Sequence, residues 1–121
     1  MKRDMDLFRA LLLEIEKQPF VGSGYFPKPV VTGFCEEEVC YHAQLAQDAG
    51  FIEATCLPQT TEFMVKRLTF AGHEFLDAAR EDKLWNKAKH SVLSSTGTLT
   101  VEALKIALSM LMQQAARGMI A

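Results

Sequence analysis

The stretch 35–54, CEEEVCYHAQLAQDAGFIEA, decides how the rest of the chain is read. Val39, Ala43, Ala46 and Ala49 recur at helical spacing and form a narrow apolar stripe. Cys35 stands where Ser or Thr would open a capping box, and Glu38 follows three residues later. A thiol accepts hydrogen bonds poorly, so that half of the cap is weak. Gly50 is placed to end the helix in a left-handed conformation. Phe51 to Cys56 and Phe63 to Leu68 then read as two strands around the tip LPQTT. The expectation is a helix that runs directly into a hairpin.

On the N-terminal side, residues 4–17 read as a helix through Met5, Phe8, Leu12 and Ile15, with Leu7, Leu11 and Leu13 widening the stripe. So broad a stripe predicts burial on more than one side. Pro19, Gly22, Gly24, Pro27 and Pro29 predict a loop over residues 19–29, and Val30 to Thr32 a short strand. Beyond the hairpin, Thr69 is placed to cap a helix running to about Lys89. A last helix is expected over about Leu99 to Arg117, after the SSTGT break.

With 121 residues, 49% of them hydrophobic, the chain is long enough for one domain with a substantial core. No run approaches the ~20 apolar residues of a membrane span. Asp4, Asp6 and Arg9 interrupt the apolar region that a signal peptide needs, so a cytoplasmic protein is expected. The net charge of −2 opposes nucleic-acid binding, which calls for a basic excess or patch.

No residue pattern assembles a catalytic centre, and no enzymatic activity, cofactor or metal is expected. His73-Glu74-Phe75-Leu76-Asp77 begins like the zinc-protease pattern H-E-x-x-H but ends on Asp, so the ligand set is incomplete. His73 and Glu74 are expected outward, with Phe75, Leu76 and Ala79 packed. Cys40 and His42, two apart on a helix, point in opposed directions and cannot share a metal or form a nucleophilic pair. Cys35, Cys40 and Cys56 are expected to be free thiols. G-S-G at 22–24 lacks the strand and helix of a phosphate loop. The group Arg80, Lys83, Lys87, Lys89 and His90 is interleaved with Glu81 and Asp82 and reads as a solvated face, with Trp85 as a core or interface anchor.

The order helix, loop, helix, hairpin, helix, helix is that of a mostly α, winged helix-turn-helix-like domain with a β-hairpin wing and an added C-terminal helix. MKRDMDLFRALLLEIE, EEEVCYHAQLAQDAGFIEA and VKRLTFAGHEFLDAAREDKLWNKAK together resemble bacterial proteins catalogued as domain of unknown function 2513, with GHEFLDAAR the most specific part. YHAQLAQDAGFI is similar, more distantly, to the recognition-helix stretch S-x-H-L-x-x-L-x-x-A-G-L of arsenic-repressor-type winged-helix regulators. Ala43 and Ala46 stand where that stretch has leucines. No separate second helix is evident before Cys35.

These resemblances imply a cytoplasmic DNA-binding or regulatory protein that binds double-stranded DNA. The contact candidates are Tyr41, His42, Gln44 and Gln47 on the helix and Lys66 and Arg67 on the wing. Glu36, Glu37 and Glu38 suit the helix dipole but occupy the end that usually enters the major groove. The rival expectation is a protein-interaction module that keeps the fold without binding DNA. In the last helix Val101, Leu104, Leu108, Leu111 and Ala115 form a seam three and four residues apart, and Leu99, Ile106, Met110, Met112 and Met119 add apolar surface. Either this helix folds over the first helix within one chain, or the two helices together form a homodimer interface. The homodimer is the expectation carried forward. The domain reading is therefore 1–97 for the winged-helix-like part and 98–121 for a packing or dimerisation helix.

Overall fold

Asp4 starts the first helix, α1 (Met5–Glu16). Its carboxylate accepts the backbone N–H groups of Asp6 (2.9 Å) and Leu7 (3.2 Å), which have no carbonyl partner inside the helix. The computed structural model describes residues 1–20, 22 and 24–120, with only the backbone for 119 and 120. Ser23 of the G-S-G tripeptide and the Met119 side chain lie outside the described residues. By their packing the residues fall into two units, Met1–Glu74 and Phe75–Ala121. The expected division after residue 97 falls inside the second of these.

In the first unit, α1 is followed by β1 (Phe26–Pro27), α2 (Glu36–Asp48), β2 (Ile52–Cys56) and β3 (Phe63–Leu68). The three strands form one antiparallel sheet in the order β1-β3-β2. Phe26 lies opposite Val65, and Ile52 opposite Leu68. Met5, Leu7, Phe8, Leu11, Leu12 and Ile15 are all buried, and α1 packs against both α2 and β3. That two-sided burial is what the broad apolar stripe predicts.

The end of α2 is set by Gly50. The Gly50 N–H donates to Gln47 O and the Phe51 N–H to Ala46 O, both at 2.9 Å, with Gly50 at φ 79°. This is the paired closure that glycine permits after a helix. Val39, Ala43 and Ala46 are buried as expected, whereas Ala49 belongs to the cap and is exposed.

Two strand expectations are corrected. Val30 is exposed and lies in no strand, while Phe26–Pro27, expected in a loop, pairs with β3. Pro27 is tolerated there because β1 is an edge strand, where a missing N–H costs no ladder bond. The turn at residues 32–34 leads directly to Cys35, and no helix precedes α2 among the described residues after β1.

The helix expected from Thr69 to Lys89 is two helices, α3 (Phe70–Ala79) and α4 (Asp82–Thr96). The Gly72 N–H donates to Thr69 Oγ1 at 3.1 Å, so Thr69 caps α3 as its residue type predicts. Arg80 and Glu81 interrupt the helix without Gly or Pro. Glu81 is extended (φ −79°, ψ 123°) and its carbonyl accepts the Trp85 N–H at 2.9 Å. The break brings the Trp85 and Phe75 rings edge to face, with centroids 6.2 Å apart. Trp85 is 1% exposed, a core residue. Tertiary packing of that ring pair outweighs the local preference for a continuous helix.

The last helix, α5 (Val101–Ile120), packs against α4. Leu104 and Leu108 are fully buried within this one chain, Val101 and Leu111 are half-buried, and Ala115 is exposed. The seam assigned to a homodimer is thus already covered at its centre. Apolar surface remains on other sides of α5, at Ile106, Met110 and Met112. No helix among the described residues is long and apolar enough to cross a membrane.

Candidate functional site

α2 carries Glu36, Glu37 and Glu38 in its first turn and Asp48 in its last, with no Lys or Arg anywhere along it. Two of these carboxylates have structural partners. Glu38 Oε1 accepts the backbone N–H of Cys35 at 3.2 Å, and this bond holds its carboxyl below the usual carboxylate range. Glu36 lies 3.5 Å from Lys28 Nζ, which also donates to Glu62 at 2.8 Å. Thr61 Oγ1 donates to Glu36 Oε2 at 3.4 Å. The hydrogen bond to Glu62 and the charge of Glu36 raise the Lys28 ammonium above its ordinary value. The start of α2, the loop at Lys28 and the base of the hairpin tip are therefore tied together by the half-buried Lys28 and two exposed carboxylates. Such ties fix register more than they stabilise, because solvent screens them.

His42 does not face solvent. It is 1% exposed; its Nε2 accepts the backbone N–H of Asp4 at 2.8 Å, and its Nδ1 lies 2.8 Å from the Glu38 carbonyl. A backbone N–H can only donate, so Nε2 is the acceptor and Nδ1–H the donor, which defines the neutral tautomer. The ring fastens α2 to the N-cap of α1. This corrects its place among the DNA-contact candidates: both ring nitrogens are committed inside the protein. Tyr41 is half-buried and meets the His42 ring edge-on, with centroids 5.8 Å apart.

Gln44 and Gln47 are exposed. With Asp48 they line a groove against Ala54, Thr55 and Cys56 of β2, of about 470 Å³. The Gln44 amide reaches Cys40 Sγ at 3.8 Å. Burial, with smaller effects from Cys40 and Asp48, pushes the Cys56 thiol up, so it offers an S–H here and not a thiolate. Cys35, Cys40 and Cys56 are free thiols.

Lys66 and Arg67 line a different groove. On β3, Val65 lies opposite Ala54 and Arg67 opposite Glu53, which leaves Lys66 as an extra residue in a bulge. Burial follows the same irregularity: Phe63 and Val65 are two apart, but the next buried residue is Leu68. In a regular strand Lys66 and Arg67 would point to opposite faces; here both reach one groove of about 490 Å³. Its floor includes buried Ile15, Phe26 and Leu68, and Phe20 and Phe70 stand exposed along it. Glu16 and His73 also line it. Arg67 pairs with Glu53 at 2.9 Å and donates to Leu68 O at 3.2 Å. Among the described residues Lys66 has no carboxylate partner.

The helix and wing candidates are thus divided between two grooves. The second groove escapes sequence reading because it depends on the bulge and on β1, neither of which has a strong local signal. His73 and Glu74 are exposed as expected, and Phe75, Leu76 and Ala79 are buried. Among the described residues no group of three or more His, Cys, Asp or Glu is placed to hold a metal ion.

Residues 2–98 match the model of a family described as Hypothetical protein (DUF2513). A protein of Haemophilus influenzae named Uncharacterized protein is 39% identical over 107 residues, covering 87% of this chain and 90% of the relative. No solved structure matches the chain. The family match ends before α5, while the fold elements around both grooves lie inside it.

Proposed function

The chain belongs to the family described as Hypothetical protein (DUF2513), and we propose that it is a non-enzymatic protein-interaction module on a winged-helix-like framework. The winged-helix reading is supported by α2 passing through Gly50 into the β2–β3 hairpin and by β1 closing the sheet beside β3. The observation that carries the interaction reading is the charge of α2. Where a helix-turn-helix protein meets phosphate, this helix has Glu36, Glu37, Glu38 and Asp48 and no cation, and its imidazole is buried. DNA affinity rests largely on neutralised phosphates, so a helix of this charge opposes it. The first unit as a whole has seven Lys and Arg against eleven Asp and Glu.

Double-stranded DNA binding is the second reading. It is favoured by Lys66 on β3, which has no carboxylate partner among the described residues, and by the exposed amides of Gln44 and Gln47. Self-association is a separate part of the proposal. It is supported by exposed Ile106, Met110 and Met112 on α5 and no longer by Leu104 and Leu108.

A photo-crosslinking phenylalanine analogue placed at Phe70, which lines the same groove as Lys66, separates the two readings in living cells. The interaction reading expects adducts with protein and none with nucleic acid. Nucleic-acid adducts from that position overturn it.

A further inference from the structure

We infer that the groove bordered by the end of α1, β3 and the start of α3 takes a short acidic peptide segment of a partner protein, an Asp or Glu flanked by large apolar side chains. This assignment rests on the interaction-module reading. Phe20 and Phe70 are 71% and 78% exposed and line the same groove, above the buried Phe26 and Leu68. Exposed phenyl surface grouped around a concavity is area that a partner removes from water. A groove of about 490 Å³ is in the size range of sites that hold a small ligand or a few side chains.

Charge selects the partner's polar group. The bulge on β3 turns Lys66 toward the same groove as Arg67, and bulges of this kind re-aim side chains beside functional sites. Lys66 has no internal carboxylate among the described residues, and Arg67 keeps further N–H donors beyond those held by Glu53 and the Leu68 carbonyl. Arg67 is already paired with Glu53 and Glu16 also lines the groove, so Lys66 is the cation it offers to a partner's carboxylate, inside a unit rich in carboxylates. A lone carboxylate beside apolar side chains matches that pattern. Single-stranded nucleic acid needs cations along a track of phosphates, and among the described residues the groove's Lys and Arg are Lys66 and Arg67 alone.

The test pans the 121-residue chain against a phage-displayed random dodecapeptide library. Enriched sequences should place Asp or Glu next to Phe, Leu or Trp. A synthetic peptide of the enriched sequence should bind one to one and weaken about tenfold or more with Lys66→Glu or Phe70→Ser. Replacing its acid with Lys should abolish binding, while Gln44→Ala at the other groove should leave affinity unchanged. Phe70 is exposed and Lys66 half-buried, and a thermal melt of each variant checks folding. The assignment is overturned by no enrichment, by enrichment without an acid, by indifference to Lys66→Glu, or by oligo-dT binding that responds to the same variants. Duplex DNA binding removes the interaction-module reading itself. A chain that ignores duplex DNA and enriches no acidic peptide removes only the assignment of this groove.

Discussion

Gly72 sits where the first turn of α3 passes the Phe51 backbone. A Cβ built there comes 2.2 Å from the Phe51 carbonyl oxygen, inside any permitted contact. In an open helix Gly→Ala stabilises by about 1 kcal/mol. Here the clash meets backbone, which cannot swing aside, so Gly72→Ala should destabilise by about 2–3 kcal/mol net. Urea denaturation checks the sign: the midpoint should fall, and a rise would show that α3 does not approach this closely. His42 is the second residue with a long-range role. His42→Ala leaves a cavity and an unpaired Asp4 N–H, for a loss of about 3 kcal/mol. The Asp4 amide should exchange with solvent slowly in the native protein and fast in the variant. Sequence reading put His42 on the surface because Tyr41, His42 and Gln44 look alike as polar helix residues. What buries His42 is the start of α1, 38 positions away, and no local pattern reports that.

At the scale of elements, the start of α2 has a pH dependence with a definite sign. The Cys35 N–H holds the Glu38 carboxyl below its ordinary range, so ionised Glu38 stabilises the fold above that range. The contribution is lost as pH falls through the depressed folded value. The stability difference between native protein and Glu38→Ala should therefore be present at neutral pH and close in acid. A gap constant down to the acid limit would assign the effect to packing. The α5 seam makes a different prediction. Because Leu104 is fully buried in one chain, Leu104→Ala should lower the melting temperature by a loss of about 3 kcal/mol, with no change in oligomeric state. Dissociation of an otherwise stable dimer in sedimentation would contradict this. Helices and the hairpin were legible because their periodicity and caps are local: Thr69 and Gly50 act where their residue types predict. The break at Arg80–Glu81 and the Lys66 bulge were not. Neither contains Gly or Pro, and each goes with a non-local burial, Trp85 on Phe75 in one case and Leu68 in the core in the other.

For the whole molecule, charge and framework point in opposite directions. The helix-to-hairpin passage motivates the winged-helix reading proposed above, yet four carboxylates occupy α2 and Arg67 on the hairpin is held by Glu53. The carboxylates were plain in the sequence, whereas the pairing of Arg67 and the separation of Lys66 from Gln44 required the fold. The central claim is that this framework does not read duplex DNA. It is tested most directly by titrating the protein into a fluorescent mixed-sequence duplex at ~50 mM salt, where even non-specific electrostatic affinity registers. The account predicts no saturable change in anisotropy. Binding that weakens steeply with added salt, and that Lys66→Ala with Arg67→Ala removes, would contradict it.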